Sequence, residues 1–414
     1  MTPLIVFLII LILGYVSTNL VFNKIQSRFY VPSGIEYIFL GILIGPAFSN
    51  WVTKTFQINY PEIVTHDILL QLSPGISAAI GFVGLAYGLK FKLKDLSKVE
   101  PEHFRLTFAD LSFSIIIIGG TSFGILYYVF FNGKNLLDII AASYALSVMG
   151  GVTSHFIIES VIKRYKVNGK IAVALNNVSV LNVNFNIFIY GILFSVIHLG
   201  ASENVKLSPT EWVVISILLA VIIGILFFIF IGREQDENKL FVAVLGIAIF
   251  TSGVAYFLNF SPLYMNFILG VILTNLSKIS DKIDASLTRL LRPFGILIVI
   301  MAGFYWLPAT QWVFVVAVLS FIILRFYTKK IAGYLAYKSS FDHDKLHFEI
   351  GRGLLSSDII VAAMIIDYVN VYQNQFTPIV ISCVLSALIF YSIIGFSTTK
   401  NYLIDVGEIT GEKK

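Results

Sequence analysis

The feature that most constrains this chain is a train of apolar windows, each about 20 residues long, separated by short polar loops. They fall near 3–22, 33–52, 67–90, 106–131, 137–162, 169–198, 211–232, 239–258, 261–279, 290–307, 309–331, 348–370 and 376–397. About 20 apolar residues is the length a helix needs to cross a bilayer. In hydrocarbon each backbone polar group must be satisfied within the protein, which leaves helices as the spanning element. The chain is therefore predicted to be an all-α polytopic membrane protein with about 13 transmembrane helices, its natural partner the lipid bilayer. A composition that is 57% hydrophobic and 13% charged supports this. The single Cys383 excludes a disulfide framework within one chain. No nucleotide-binding glycine motif and no hydrolytic triad is visible, so neither an enzyme nor a cofactor is expected.

The charge distribution orients the windows. Loops after odd-numbered windows carry 24 of the lysines and arginines, among them Lys90, Lys92, Lys94, Lys163, Arg164, Lys329 and Lys330; loops after even-numbered windows carry only Lys54, Lys134 and Lys206. This bias places the N-terminus outside and the C-terminus in the cytoplasm. It also explains the basic pI without invoking nucleic acid. Window 3–22 lacks a basic leader and is read as the first helix rather than a cleaved signal. Residues 1–400 are expected to form one transmembrane domain, and 401–414 a short cytoplasmic tail. Any regulatory domain would then be a separate cytoplasmic protein.

Two windows carry helix breakers halfway along. "SYALSVMGGVTSHFIIESVI" contains Gly150-Gly151 followed by Thr153-Ser154, and "FEIGRGLLSSDIIVAAMII" contains Gly351-Arg352-Gly353 followed by Ser356-Ser357-Asp358. They cross in opposite senses. Paired interrupted helices of this kind point to inverted repeats and a midplane binding site. The window that follows the first of them, 169–198, contains "ALNNVSVLNVNFNIF" and is unusually rich in amides. At 100° per residue, Ser179, Asn182 and Asn186 share one face with Asn176 at its edge, whereas Asn177 and Asn184 lie on another. None of these amides is expected to face lipid.

Several segments carry a family resemblance: "FLGILIGPAFSNW", "ISAAIGFVGLAYGLKFKLKDL", "SPLYMNFILGVILTN", "KKIAGYLA" and "GRGLLSSDIIVAA". In this order they resemble the monovalent cation:proton antiporter superfamily, which includes sodium/proton antiporters and potassium efflux systems. The resemblance implies a core near 67–198 and 309–397 with two crossing broken helices, the other helices serving as scaffold in a homodimer. It also implies a Thr-Asp pair in the first broken helix and Asn-Asp or Asp-Asp about 29 residues later. Here the matching positions read Thr153-Ser154 and Asn182-Val183, and no acidic residue occurs between Glu159 and Glu203. Both aspartates are absent, and amides neither titrate nor carry charge. Arg325 or Lys330 matches the family's core-helix lysine, with Arg352 a further cation. Asp358, Asp367 and Glu159 are the acids expected to partner them, although Lys330 and Glu159 also suit the cytoplasmic interface. His155 stands where the family has proline; histidine is the side chain whose ordinary pKa lies nearest physiological pH, and a histidine hydrogen-bonded in a helix interface is the commoner case. His343 and His347 belong to a solvated loop, not a metal site.

The expected ion or substrate site is thus Thr153, Ser154, Ser179, Asn182, Asn186, Ser357 and Asp358. Expected to couple or compensate charge are His155, Arg325, Lys330 and Arg352; the breaks are expected at Gly150, Gly151, Gly351 and Gly353. The expected function is a secondary transporter of sodium or potassium in a bacterial plasma membrane, with any proton coupling moved onto Asp358 or His155. Two alternatives stand beside it. One is a channel or carrier for an anion or neutral solute that relies on Arg352, and the other is a non-transporting anchor or sensor working with a cytoplasmic protein.

Overall fold

A computed structural model describes most of residues 35–409, leaving out 59, 61–63, 131–134, 199–206, 232–235, 277–293, 308–311 and 341–345; before 35 it describes only 5, 9, 12–14 and 16. Window 3–22 and His343 thus lie largely or wholly outside the described residues. The remainder is helical: α1 (Ile35–Ile44), α2 (Pro46–Phe56), α3 (His66–Leu89), α4 (Pro101–Phe113), α5 (Gly120–Phe130), α6 (Leu136–Gly151), α7 (His155–Tyr165), α8 (Lys170–Val196), α9 (Pro209–Ile231), α10 (Glu237–Phe257), α11 (Pro262–Leu276), α12 (Phe294–Phe304), α13 (Trp312–Lys338), α14 (Ile360–Val371) and α15 (Thr377–Asp405). Among the described residues, eight helical stretches are long and apolar enough to cross a membrane, and α11, α12 and α14 are shorter apolar helices. The protein is an integral membrane protein of polytopic, all-helical fold.

Local chemistry sets the boundaries. Asn135 and Thr65 cap α6 and α3 by accepting backbone N–H groups of Leu137 and Ile68. Pro46 at the first position of α2 ends α1 at Gly45, so window 33–52 is two helices. A π-helical segment, Ser114–Gly119, joins α4 to α5 and lays Gly119 against Ser147 of α6. The last helix runs past the expected boundary at 400 to Asp405. Beyond it, Glu408 accepts the backbone N–H groups of Ile171 (2.7 Å) and Ala172 (2.8 Å), so the tail caps the positive end of α8.

Two groups of helices pack side by side. α11 packs against α3, α9 and α10, and α10 against α3 and α9, with Gly88 of α3 meeting Gly270 of α11 where a Cβ would collide with backbone. α4 to α8 and α13 to α15 form the second group, which holds both interrupted helices. α3 therefore packs mainly with α11 rather than with the helices assigned to the core from sequence.

Candidate ion site

Two interruptions face each other. The chain is extended at 152–154 between α6 and α7, and irregular at 355–358 between a 3-10 turn, Ile350–Leu354, and α14. The breaks therefore begin just after the glycines expected to make them: Gly151 is the last residue of α6, and Gly351 and Gly353 lie in the 3-10 turn. Gly150 and Gly151 pack against Phe321 and Ser114, and Gly351 sits under the Lys329 carbonyl, so these glycines serve close approach. The two breaks bond directly. Ser154 N–H donates to Ser356 O (3.1 Å), and the Thr153 hydroxyl donates to Leu354 O (3.0 Å).

Four helix ends converge at such a crossing, two with exposed carbonyls and two with exposed N–H groups. The carbonyl ends draw cations from α13. Arg325 donates to Val152 O (2.6 Å) and Ser356 O (3.1 Å) and lies 4.3 Å from the Tyr391 ring centre. One turn on, Lys329 donates to Gly151 O (2.5 Å) and the Thr153 hydroxyl (2.8 Å). The N–H ends draw Asp358, which accepts Ile360 N–H at the start of α14 (3.1 Å) and the hydroxyl of Ser154, the cap of α7 (3.0 Å). Tyr87 of α3 completes its shell (2.5 Å).

The centre of the cluster is an ion pair. Lys329 Nζ lies 2.6 Å from Asp110 Oδ2, and both side chains are essentially fully buried. Asn182 orients the same carboxylate. Its amide nitrogen donates to Asp110 Oδ2 (2.6 Å) and Gly151 O (3.1 Å), while its oxygen accepts Thr153 N–H (2.8 Å) and the Asn186 amide (3.1 Å). Asp110 Oδ1 and the Ser114 hydroxyl, one turn away at the start of the π-helical segment, have no hydrogen-bond partner among the described residues. Asp110 Oδ1, Ser114, Thr153, the Gly151 carbonyl and the two amide oxygens supply oxygen donors of the kind that replace the hydration shell of an alkali cation. No group of three or more His, Cys, Asp or Glu suited to a metal occurs among the described residues.

Thr153, Ser154, Asn182, Asn186, Asp358 and Arg325 therefore meet at the crossing. Ser179 lies one turn before Asn182 and contacts His155 Nδ1 (3.3 Å). His155 is also 3.8 Å from Glu159, which pairs with Lys163 on the half-exposed side of α7. Asn177 meets His103 of α4 and Asn184 bonds within its own helix, so the second amide face serves packing. Ser357 is buried, but Ser356 makes the crossing bonds.

Three expectations need correction. Lys330 points to the exposed face of α13, while Lys329, counted from sequence as a loop charge, occupies the site. Arg352 lies outside the cluster and pairs with Glu349 (2.7 Å) and Asp405 (3.2 Å). Neither Asp358, Asp367 nor Glu159 pairs with Arg325, whose partners are carbonyls. A second acid at the crossing, Asp110, was not among the expected site residues. A detectable signal existed, since an ionisable residue in an apolar span is by default functional. Together with His103, Thr107 and Ser114, Asp110 also makes a polar stripe at helical spacing, all of it buried.

A family model described as sodium/hydrogen exchanger, transmembrane, matches residues 6–400. Among solved structures, the sodium proton antiporter MjNhaP1 from Methanocaldococcus jannaschii at pH 8 has a TM-score of 0.69 and 15% identity, covering 99% of this chain and 99% of that one. An electron-microscopy map of the same antiporter gives a TM-score of 0.59 and 17% identity over 98% and 97% of the two chains. At these identities the likeness concerns the fold. No curated protein sequence matches the chain. Because the family match runs over nearly its whole length, the chain belongs to the sodium/hydrogen exchanger family.

Proposed function

We propose that this protein exchanges a monovalent cation, sodium or potassium, for protons, and that Asp110 replaces the carboxylate that the family resemblance places on α8. The observation that carries this reading is the buried Lys329–Asp110 pair, set against the carbonyl end of α6 and held by Asn182. A buried carboxylate needs one positive neighbour. The Lys329 ammonium, a proton and an alkali cation can each supply it, and in so small a space they exclude one another. A cation that takes Asp110 releases Lys329, whose ammonium gives its proton to water on the open side; the reverse step ejects the cation. Competition of this kind is what exchange requires. Thr153 and the Gly151 carbonyl hold the lysine while it pairs with Asp110 and are freed for the cation when it leaves. Charge at the other helix ends is fixed by Arg325 and Asp358, so the crossing persists through the cycle.

The basic loops support a cytoplasmic C-terminus, and the family supports a homodimer. An anion carrier built on Arg352 is less well supported, because that guanidinium is already paired outside the crossing. The test uses purified protein in liposomes under an imposed pH gradient. Sodium or potassium dissipates the gradient with the wild type and not with Asp110→Asn. A wild type that responds to no alkali cation, or an Asn variant as active as the wild type, overturns the reading.

A further inference from the structure

The exchange centre leaves one buried acid unused. Asp367 lies on α14 about two turns beyond the crossing, in the half of the protein away from the basic loops, and is fully buried. The Ser261 hydroxyl, which opens α11, donates to its Oδ2, while Oδ1 accepts no hydrogen bond among the described residues. Tyr190 of α8 lies beside the carboxyl and donates to Met364 O of the preceding turn (2.8 Å). Tyr190 shares its helix face with Asn186 and Asn182, at spacings of four, so one polar stripe connects Asp367 to Asp110. On the other side, Tyr372 at the end of α14 donates to Asp138 (3.1 Å), a half-buried acid at the mouth of α6.

The chemistry around Asp367 differs from that at either other buried acid. Asp110 has a lysine; Asp358 has three donors and two positive helix ends. Asp367 has a single donor, Ser261 at the N-terminal end of α11, and among the described residues no lysine, arginine or histidine pairs with it. The groups that face it, Ser261, Tyr190 and its neighbour Tyr368, are neutral hydroxyls. An ionised carboxylate cannot be kept there without a counter-charge. Its position matters as well. Both acids of this element are gripped by hydroxyls from the α3–α11 group, Asp358 by Tyr87 and Asp367 by Ser261.

Resting on the exchange reading above, we infer that Asp367 is a second proton-binding group of the transport cycle, loaded in this conformation and unloaded to the outer medium. When α14 parts from Ser261, water enters from the Asp138 mouth, the O–H bond of the acid breaks, and the proton passes to that water. The carboxylate left behind is stable only while hydrated, so the outer side closes again only once a proton has returned. Proton binding and closure of the outer side are thereby linked.

The test uses full-length protein and two readouts. Infrared spectra of wild type in lipid are expected to contain the carbonyl band of a protonated carboxylic acid that Asp367→Asn lacks; identical spectra overturn the proposal. In oriented proteoliposomes with pH varied on one side at a time, Asp367→Asn is expected to lose its response to outer pH and keep its response to inner pH. An unchanged outer-pH profile overturns it. If the Asn variant does not fold, Ser261→Ala keeps the acid and removes its donor, and the outer-pH midpoint is expected to shift; no shift again overturns it. The infrared band reads Asp367 whether or not ions are exchanged. Exchange surviving in Asp110→Asn would therefore defeat the functional reading while leaving this one standing.

Discussion

Lys329 Nζ and Asp110 Oδ2 lie 2.6 Å apart at the meeting point of α4, α6, α8 and α13, each almost completely shielded from solvent. Burying such a pair costs most of what its attraction returns, whereas removing one partner strands a charge. Lys329→Met or Asp110→Asn alone is expected to cost about 3–5 kcal/mol, less to the extent that the neighbouring hydroxyls and amides compensate. The double variant is expected to recover much of that loss without recovering exchange. Thermal unfolding in detergent, paired with flux in liposomes, separates the two effects. Additive destabilisation in the double variant would show that the pair does not behave as a unit.

Asn182 is expected to be intolerant of the acid that the family resemblance places nearby. It gives two hydrogen bonds through its amide nitrogen, to Asp110 and to Gly151 O. In Asn182→Asp both donors vanish and a second carboxylate comes to within hydrogen-bonding distance of the first. Like charges so close cannot both ionise. Exchange is expected to fall at least tenfold and the protein to become less stable at high pH than at low pH. A gain of exchange in this variant would count against Asp110 as the exchanging group.

The helical character of the fold was legible in the sequence because hydrocarbon imposes length and periodicity: among the described residues the apolar windows are helical, the two glycine pairs stand at interruptions, and the amide face of α8 meets them. What escaped was partner choice. The absence of acid from α8 is plain in the sequence, but the acid that Lys329 meets belongs to α4, 219 positions away in the chain. No spacing rule joins them. Lys329 and Lys330 are adjacent and chemically identical, and only the phase of α13 against the 3-10 turn decides which faces inward. Near Gly351 that phase is fixed by backbone contact, which leaves no charge pattern to read.

That contact can itself be tested. A Cβ on Gly351 would lie 2.1 Å from Lys329 O and 3.0 Å from Lys330 Cα, atoms of helix backbone that cannot swing aside. Gly351→Ala is expected to push α13 off the turn, costing about 1–3 kcal/mol. It is expected to lower exchange more than stability alone explains, since Lys329 moves with the backbone. Comparing flux at temperatures well below the variant's melting point checks this.

Arg352 offers the opposite expectation. Its guanidinium is about one-third exposed and tied to Glu349 and Asp405. Exposed pairs of this kind contribute under about 1 kcal/mol. Arg352→Ala is therefore expected to fold, to exchange cations at a rate within about twofold of wild type, and to show no new ion selectivity. A complete loss of transport in a well-folded Arg352→Ala protein would revive the anion-carrier reading.

Arg325 tests whether the crossing needs its cation at the carbonyl ends. One guanidinium nitrogen spans Val152 O and Ser356 O, joining the two breaks, and the group stacks near Tyr391. Lysine offers the charge without the planar fork. Arg325→Lys is expected to retain part of the exchange rate, and Arg325→Met to lose it, with each lost charged hydrogen bond worth about 1.5–3 kcal/mol. The loss has a local signature, because Ser154 N–H is bonded across the crossing to Ser356 O. Hydrogen exchange at Ser154 is expected to quicken in Arg325→Met while amides in α10 stay protected. Equal protection at Ser154 in wild type and Arg325→Met would mean that the two breaks hold each other without it.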